Sequence, residues 1–142
     1  DRAALGAKVF GDAAALKRLE AILHPMVAEE KGRFLRRWAA RRRKAVAPDV
    51  PLLYEVKGDR QCDLTILVSA PAFIQANRVL RRPGMTRERL AEIRARQMPE
   101  AEKRRRASYI VPTGQGHRLT LRRLSEIVAG LCGRRGKHWP PR

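Results

Sequence analysis

The sequence predicts an α/β fold, a mostly parallel sheet with helices on its faces. Three observations carry that expectation. Residues 64–68, L-T-I-L-V, form a continuous apolar run, the pattern of a strand covered on both sides. A second short apolar run at 108–111 follows only after a long stretch of helical pattern, as a crossover between parallel strands requires. Helical periodicities also precede the first run and follow the second, so helices are available to cover the sheet.

Taken in order, Asp12 suits an N-cap ahead of A-A-A-L-K-R-L-E-A-I-L, where Leu16, Leu19 and Leu23 share one face. His24-Pro25 interrupts that helix, because proline lacks a donor and biases the residue before it away from helix. Pro25 then suits the first turn of a second helix, reaching about Ala40. In it Val27, Phe34, Leu35 and Trp38 form an apolar stripe expected to be core. Arg36, Arg37 and residues 41–44 make a basic end, favourable at a helix C-terminus. Residues 46–54, V-A-P-D-V-P-L-L-Y, read as a buried strand running out into a loop, qualified by Pro48 and Pro51. Glu55 follows at its C-terminal end.

After the strand at 64–68, Ser69-Ala70-Pro71 start a helix through Phe73, Ile74 and Leu80. Pro83-Gly84 is a turn, and Thr86 caps a helix with Leu90, Ile93 and Gln97 on one side. Pro99 opens a short helix ending near Ala107. The strand at 108–111 closes on P-T-G-Q-G at 112–116. The last helix, about 119–131, carries Leu121, Leu124, Val128 and Leu131 in register, with Gly133 as its stop. The domain expected is therefore 1–132, with 133–142 a basic, flexible tail.

A chain of 142 residues supports one core of ordinary size. With aromatics at 5%, that core must be built mainly from Leu, Ile, Val and Ala. The formal charge of +18 predicts anionic partners. Cys62 and Cys132 lack any metal-ligand or redox spacing and read as reduced thiols. No apolar run is long enough to span a membrane, and no secretory h-region opens the chain, so a cytoplasmic protein is expected. The start, Asp-Arg-Ala-Ala-Leu without methionine, reads as a processed, trimmed or partial chain.

Residues 75–106 concentrate arginine between the two apolar runs. Such an insertion can hold nucleic-acid backbone, or it can close over the phosphates of a nucleotide bound at the sheet. The runs Arg36-Arg37, 41–44 and 104–106 keep a basic nucleic-acid module as the alternative. Aromatics are not interleaved with these runs as single-strand stacking requires, which disfavours it.

Four segments narrow the choice. They are L-E-A-I-L-H-P-M-V at 19–27, D-V-P-L-L-Y-E at 49–55, D-L-T-I-L-V-S-A-P at 63–71, and Q-A-N-R-V-L-R-R-P-G-M-T at 75–86 continuing through R-A-R-Q-M-P-E-A-E-K-R-R-R-A-S-Y-I-V to 111. In this order and spacing the chain resembles the bacterial dephospho-coenzyme A kinases, members of the P-loop nucleoside-monophosphate-kinase-like group. The resemblance implies a three-layer α/β/α architecture with a helical lid at about 78–106. It implies transfer of the γ-phosphoryl group of ATP, with Mg2+, to the ribose 3′-hydroxyl of dephospho-coenzyme A. Arg78, Arg82 and Arg96 match the lid arginines, with Lys103 a further phosphate-side candidate. Forked guanidinium groups suit phosphate oxygens better than ammonium does. His24 and Glu55 fall on the acceptor side, and Thr113 and Gly114 in the adenine-side loop. Arg81, Arg87, Arg89 and 104–106 are expected to be surface arginines.

The departures from the family pattern are as specific. No G-x-x-x-x-G-K-[ST] occurs in these residues, and the family's acceptor-side aspartate has no counterpart. Pro48 stands in a strand the family keeps free of it, Ser108 where aspartate is usual, and Pro112-Thr113 in the adenine-side loop. The resemblance implies that the N-terminal strands and the P-loop are absent from this chain. Taken alone the chain is expected to be inactive, with two strand edges facing a gap and a tendency to aggregate. A catalytically dead coenzyme A-binding relic is the remaining alternative.

Overall fold

The computed structural model describes residues 5, 9, 12–131 and 133–140. Cys132 and most of the first eleven residues lie outside them. The chain divides into two compact units, Asp1–Ala47 with Pro140–Arg142, and Pro48–Trp139.

The main described element of the first unit is one long helix. The Asp12 carboxylate accepts from the Ala14 and Ala15 amides at 2.8 and 2.9 Å, satisfying two donors that a helix start leaves over. The helix α1, Ala13–Ala40, then runs 28 residues with Pro25 inside it. The break expected at His24-Pro25 is therefore absent. Proline removes one hydrogen bond, and the remaining turns on either side carry the helix across it. The stripe expected to be core is not buried either: Val27 is 64% exposed and Phe34 39%, and no residue of α1 is buried.

α1 ends in a Schellman arrangement. The Arg42 amide donates to Ala39 at 2.8 Å and the Arg43 amide to Trp38 at 3.2 Å, with Arg42 in the left-handed region at φ 52°. Glycine takes that position without strain, whereas a side chain there costs about 1 kcal/mol. Arg42→Gly is accordingly expected to raise stability by about 1 kcal/mol, read as a higher urea midpoint.

The second unit holds the sheet. Strand β1, Ile66–Ser69, pairs in parallel with β2, Tyr109–Pro112, placing Ile66 opposite Tyr109 and Ser69 opposite Pro112. Between them run α2, Ala72–Leu80, α3, Arg87–Ala95, and α4, Glu100–Arg106, and α5, His117–Gly130, follows. The α/β class and the parallel strands agree with the sequence. The strand expected at 46–54 does not form. Pro48 and Pro51 cannot donate to a ladder, and among the described residues β1 pairs with β2 alone. Residues 51–57 instead wind into turns, closed by the Gly58 amide on Leu53 at 2.8 Å.

The core lies beneath the two strands. Val111 is fully buried, with Ile127 at 4% and Tyr54 at 6% exposure. The Tyr54 hydroxyl donates to Thr65 Oγ1 at 3.1 Å. Thr65 and Ser108 exchange hydrogen bonds, Thr65 N to Ser108 Oγ at 3.1 Å and Ser108 N to Thr65 Oγ1 at 3.2 Å. Ser108 thus ties the starts of both strands together.

The buried face of α5 differs from the register expected. Leu121 and Val128 are 66% and 58% exposed, while Ile127 is buried and Leu124 half-buried. Thr120 sets this phase by donating to the Pro112 carbonyl at 3.0 Å, which turns Leu124 and Ile127 inward. Past α5, Gly133 has φ 85°, and the amides of His138 and Trp139 donate to the Asp63 carboxylate at 2.7 and 3.1 Å.

Candidate functional site

In parallel sheets, ligands bind beyond the C-terminal strand ends, where successive loops diverge. Here those ends are Ser69-Ala70-Pro71 after β1 and Thr113-Gly114 after β2. A cavity of about 470 Å³ opens between them, lined by Ser69, Pro71, Glu100, Arg104 and Gly114 among others. That volume falls within the range of small-molecule sites, about 300–1,000 Å³. Gly114 sits so close to the start of α2 that a Cβ would lie 3.0 Å from Pro71 Cδ and 3.3 Å from Ile74 Cδ1.

One wall is a polar network that the sequence did not suggest. Glu100, opening α4, accepts from Ser69 Oγ and, at 2.7 Å, from Gln75 Nε2. Gln75 also donates to the Ala70 carbonyl at 2.7 Å, and Arg104 donates to Ser69 Oγ at 3.1 Å. These bonds tie α4, the end of β1 and the start of α2 together. Their partners lie 25 and 31 residues apart, so no local spacing announces them.

The matched residues are distributed as follows. Arg78, on the last turn of α2, donates to the Thr113 carbonyl at 2.7 Å and to Thr113 Oγ1 at 3.2 Å. Two residues singled out separately in the sequence, Arg78 and Thr113, therefore meet. Arg82 lies in the exposed turn after α2, and Arg96 is the exposed C-cap of α3. Neither forms a side-chain ion pair with a described residue. Lys103 does: its Nζ lies 2.7 Å from Glu55 Oε1, with the two side chains 12% and 16% exposed. Glu55 also accepts from the Met98 amide at 2.9 Å. The pair brings a phosphate-side and an acceptor-side candidate into contact as an anchor for the segment entering α4. His24 is exposed on α1, in the first unit.

Three of the arginines expected at the surface, Arg89, Arg104 and Arg106, are exposed there and also make specific bonds. Arg104 reaches Ser69, as above. Arg106 pairs with Asp59 at 2.7 Å and lies 5.0 Å from the ring centroid of Tyr54, a buried aromatic of the core. Arg89 donates to the Gly84 carbonyl at 2.6 Å, closing the Pro83-Gly84 turn, where Gly84 has φ 71°. Arg94 donates to the Ala72 carbonyl at 3.1 Å, holding α3 against α2.

Burial alone would raise the Glu55 carboxyl, but the Lys103 ammonium and the Met98 amide outweigh it and hold the group below its ordinary value of 4.5. The folded state then binds this proton less readily than the unfolded state. The associated stability is complete above 4.5 and is lost as pH falls through that value and the lower folded one. Between about pH 5 and pH 3 the urea midpoint is expected to fall more steeply for the native protein than for Glu55→Gln.

Among the described residues, no three of His, Cys, Asp and Glu form a group able to hold a metal. Mg2+ is therefore assigned to no side chain here, and no step is derived through it.

Parallel strands with a cavity at their C-terminal ends, and an arginine-bearing helical excursion between them, place the chain in the class of α/β nucleotide kinases. Comparison with known proteins gives the family. Residues 1–117 match the family model for dephospho-CoA kinase. The chain is 59% identical over 142 residues to a dephospho-CoA kinase of Rhodospirillum rubrum, covering 96% of this chain and 67% of the relative. It is 49% identical over 136 residues to a dephospho-CoA kinase of Mesorhizobium japonicum, covering 96% and 69%. Among solved structures, TT1252 from Thermus thermophilus aligns with a TM-score of 0.68 at 40% identity, over 94% of this chain and 68% of that one. The chain belongs to the dephospho-CoA kinase family, and it spans about two thirds of the length of these relatives. No helix among the described residues is long and apolar enough to cross a membrane.

Proposed function

We propose that these residues form the lid and strand-end half of a kinase that transfers the γ-phosphoryl group of ATP to the ribose 3′-hydroxyl of dephospho-coenzyme A. The observation that carries this reading is the meeting of Arg78 with Thr113 at the cavity between the strand ends. It couples the base of the arginine-rich excursion to the loop that receives the adenine. Arg82 and Arg96, uncommitted to any carboxylate among the described residues, supply guanidinium groups to the transferring phosphoryl group. Phosphoryl transfer asks for positioning and charge neutralisation more than covalent chemistry, and forked donors in a water-poor site provide both. The Glu55–Lys103 pair and the Glu100 network do not touch phosphate in this reading. They fix where the excursion leaves and rejoins the sheet.

The Gly-Lys-Ser/Thr cradle for the β- and γ-phosphates does not occur in this sequence. The test therefore uses this chain fused to the part of the Rhodospirillum rubrum relative that it does not cover. ADP should be released from ATP only when dephospho-coenzyme A is present. ADP release indifferent to that acceptor would contradict the assignment.

A further inference from the structure

The basic end of α1 contains a second feature that the kinase reading does not use. Residues 31–44 hold eight Lys or Arg and no acidic residue. In sequence this looks like a solvated charge run with one tryptophan in it. The fold rearranges it around that tryptophan. The guanidinium carbons of Arg37, Arg41 and Arg43 lie 6.0, 5.1 and 5.7 Å from the centroid of the Trp38 ring. Arg43 arrives there because Arg42 takes the left-handed conformation and reverses the chain, a strained arrangement for a residue with a side chain. Phe34 packs edge-on against Trp38, with centroids 6.1 Å apart. A cavity of about 330 Å³ opens beside the pair, lined by Phe34, Trp38, Arg43, Ala45 and Val46.

Three like charges drawn to one ring repel one another. Among the described residues no carboxylate is ion-paired with Arg37 or Arg41. The ring quadrupole offsets part of that repulsion, and an anion would offset the rest. The shape asks for more than an isolated anion: an aromatic floor and a cavity beside it, with cations on the rim. Single-stranded nucleic acid combines those requirements, since its bases stack on aromatic side chains while its phosphates take up guanidinium groups. We infer that the Phe34–Trp38 cavity with Arg37, Arg41 and Arg43 is a binding site for single-stranded nucleic acid. The turn at Arg42 adds Arg43 to Arg37 and Arg41, which already neighbour Trp38 along α1.

The test is fluorescence anisotropy of a fluorescein-labelled dodecauridylate titrated with the 142-residue chain over a salt series. Binding should weaken with salt, and Arg37→Gln or Arg41→Gln should each reduce the log–log slope by about 0.7. Trp38→Ala should weaken binding about tenfold, while Trp38→Phe, which keeps an aromatic face, should stay within about threefold. Circular dichroism on each variant separates lost stacking from lost helix, and Trp38→Phe tests the platform without emptying it. Absence of binding by the native chain overturns the inference. So does affinity unchanged in Trp38→Ala, or Trp38→Phe as weak as Trp38→Ala, since either reduces the site to charge alone. Vesicles containing phosphatidylserine form the comparison. Displacement of the oligonucleotide by them, with vesicle binding indifferent to Trp38, would assign the patch to a membrane surface and overturn it as well.

Discussion

Lys103→Ala is expected to destabilise the protein by about 1–3 kcal/mol, the cost of leaving a part-buried carboxylate without its charged partner. The Glu55 and Lys103 side chains are 16% and 12% exposed, so solvent screens the pair little. Alanine at 103 removes the one cation beside Glu55 and leaves the carboxylate with backbone amides alone, those of Met98 and of Glu55 itself. Glu55→Leu should cost less. It removes the charge that needs solvating, although the Lys103 ammonium and the Met98 amide both lose their acceptor. Replacing both residues together, Glu55→Leu with Lys103→Met, should recover most of the loss, because two apolar side chains of similar volume need no pairing. Urea titrations of the four proteins form a double-mutant cycle. A coupling below about 0.5 kcal/mol would show that the pair does not anchor the entry to α4.

Arg82→Ala and Arg96→Ala should each lower kcat about a hundredfold in the fused kinase, with the KM for dephospho-coenzyme A little changed. Charge on the transferring group develops in the transition state, so a donor aimed there acts on kcat. Lysine at either position should restore only part of the loss, since an ammonium cannot fork across two phosphate oxygens. Arg87→Ala, one residue into α3 and exposed, serves as the control and should leave kcat within about twofold. Steady-state kinetics with both substrates varied distinguishes these outcomes. Equal small effects at 82, 87 and 96 would mean that the excursion carries general charge and no placed donor.

The parts of the fold that the sequence makes legible are those set by neighbouring residues. Asp12 and Thr86 are visible as caps because a cap bonds amides two or three residues on, and both do so. The parallel strands are visible as short apolar runs, but the cover expected on both faces is absent from β1, where Ile66 is 38% and Val68 63% exposed. Failures arise where a distant partner decides. At 46–54 the apolar content speaks of burial, but a strand needs a neighbour to bond, and none pairs there. At Pro25 the local rule is outweighed by the turns on either side. In α5 the apolar residues allow more than one face, and the Thr120 bond to Pro112 selects the one that buries Ile127.

The site divides in the same way. Arg78 and Thr113 were matched separately, and the fold joins them. Glu100, Ser69 and Gln75 are not legible as a group in the sequence, because a carboxylate, a hydroxyl and an amide on three elements form no pattern along the chain. The one signal available was a glutamate directly after Pro99 at a helix start, which reads as a favourable charge at the positive end of α4 and nothing more.

The most direct measurement of the central claim is the identity of the product made by the fused chain from ATP and dephospho-coenzyme A. Mass spectrometry should find coenzyme A, the substrate plus one phosphoryl group, and phosphorus NMR should place the new phosphomonoester on the ribose 3′ oxygen. A folded fusion that leaves dephospho-coenzyme A unchanged, while the intact Rhodospirillum rubrum relative converts it under the same conditions, would contradict the account.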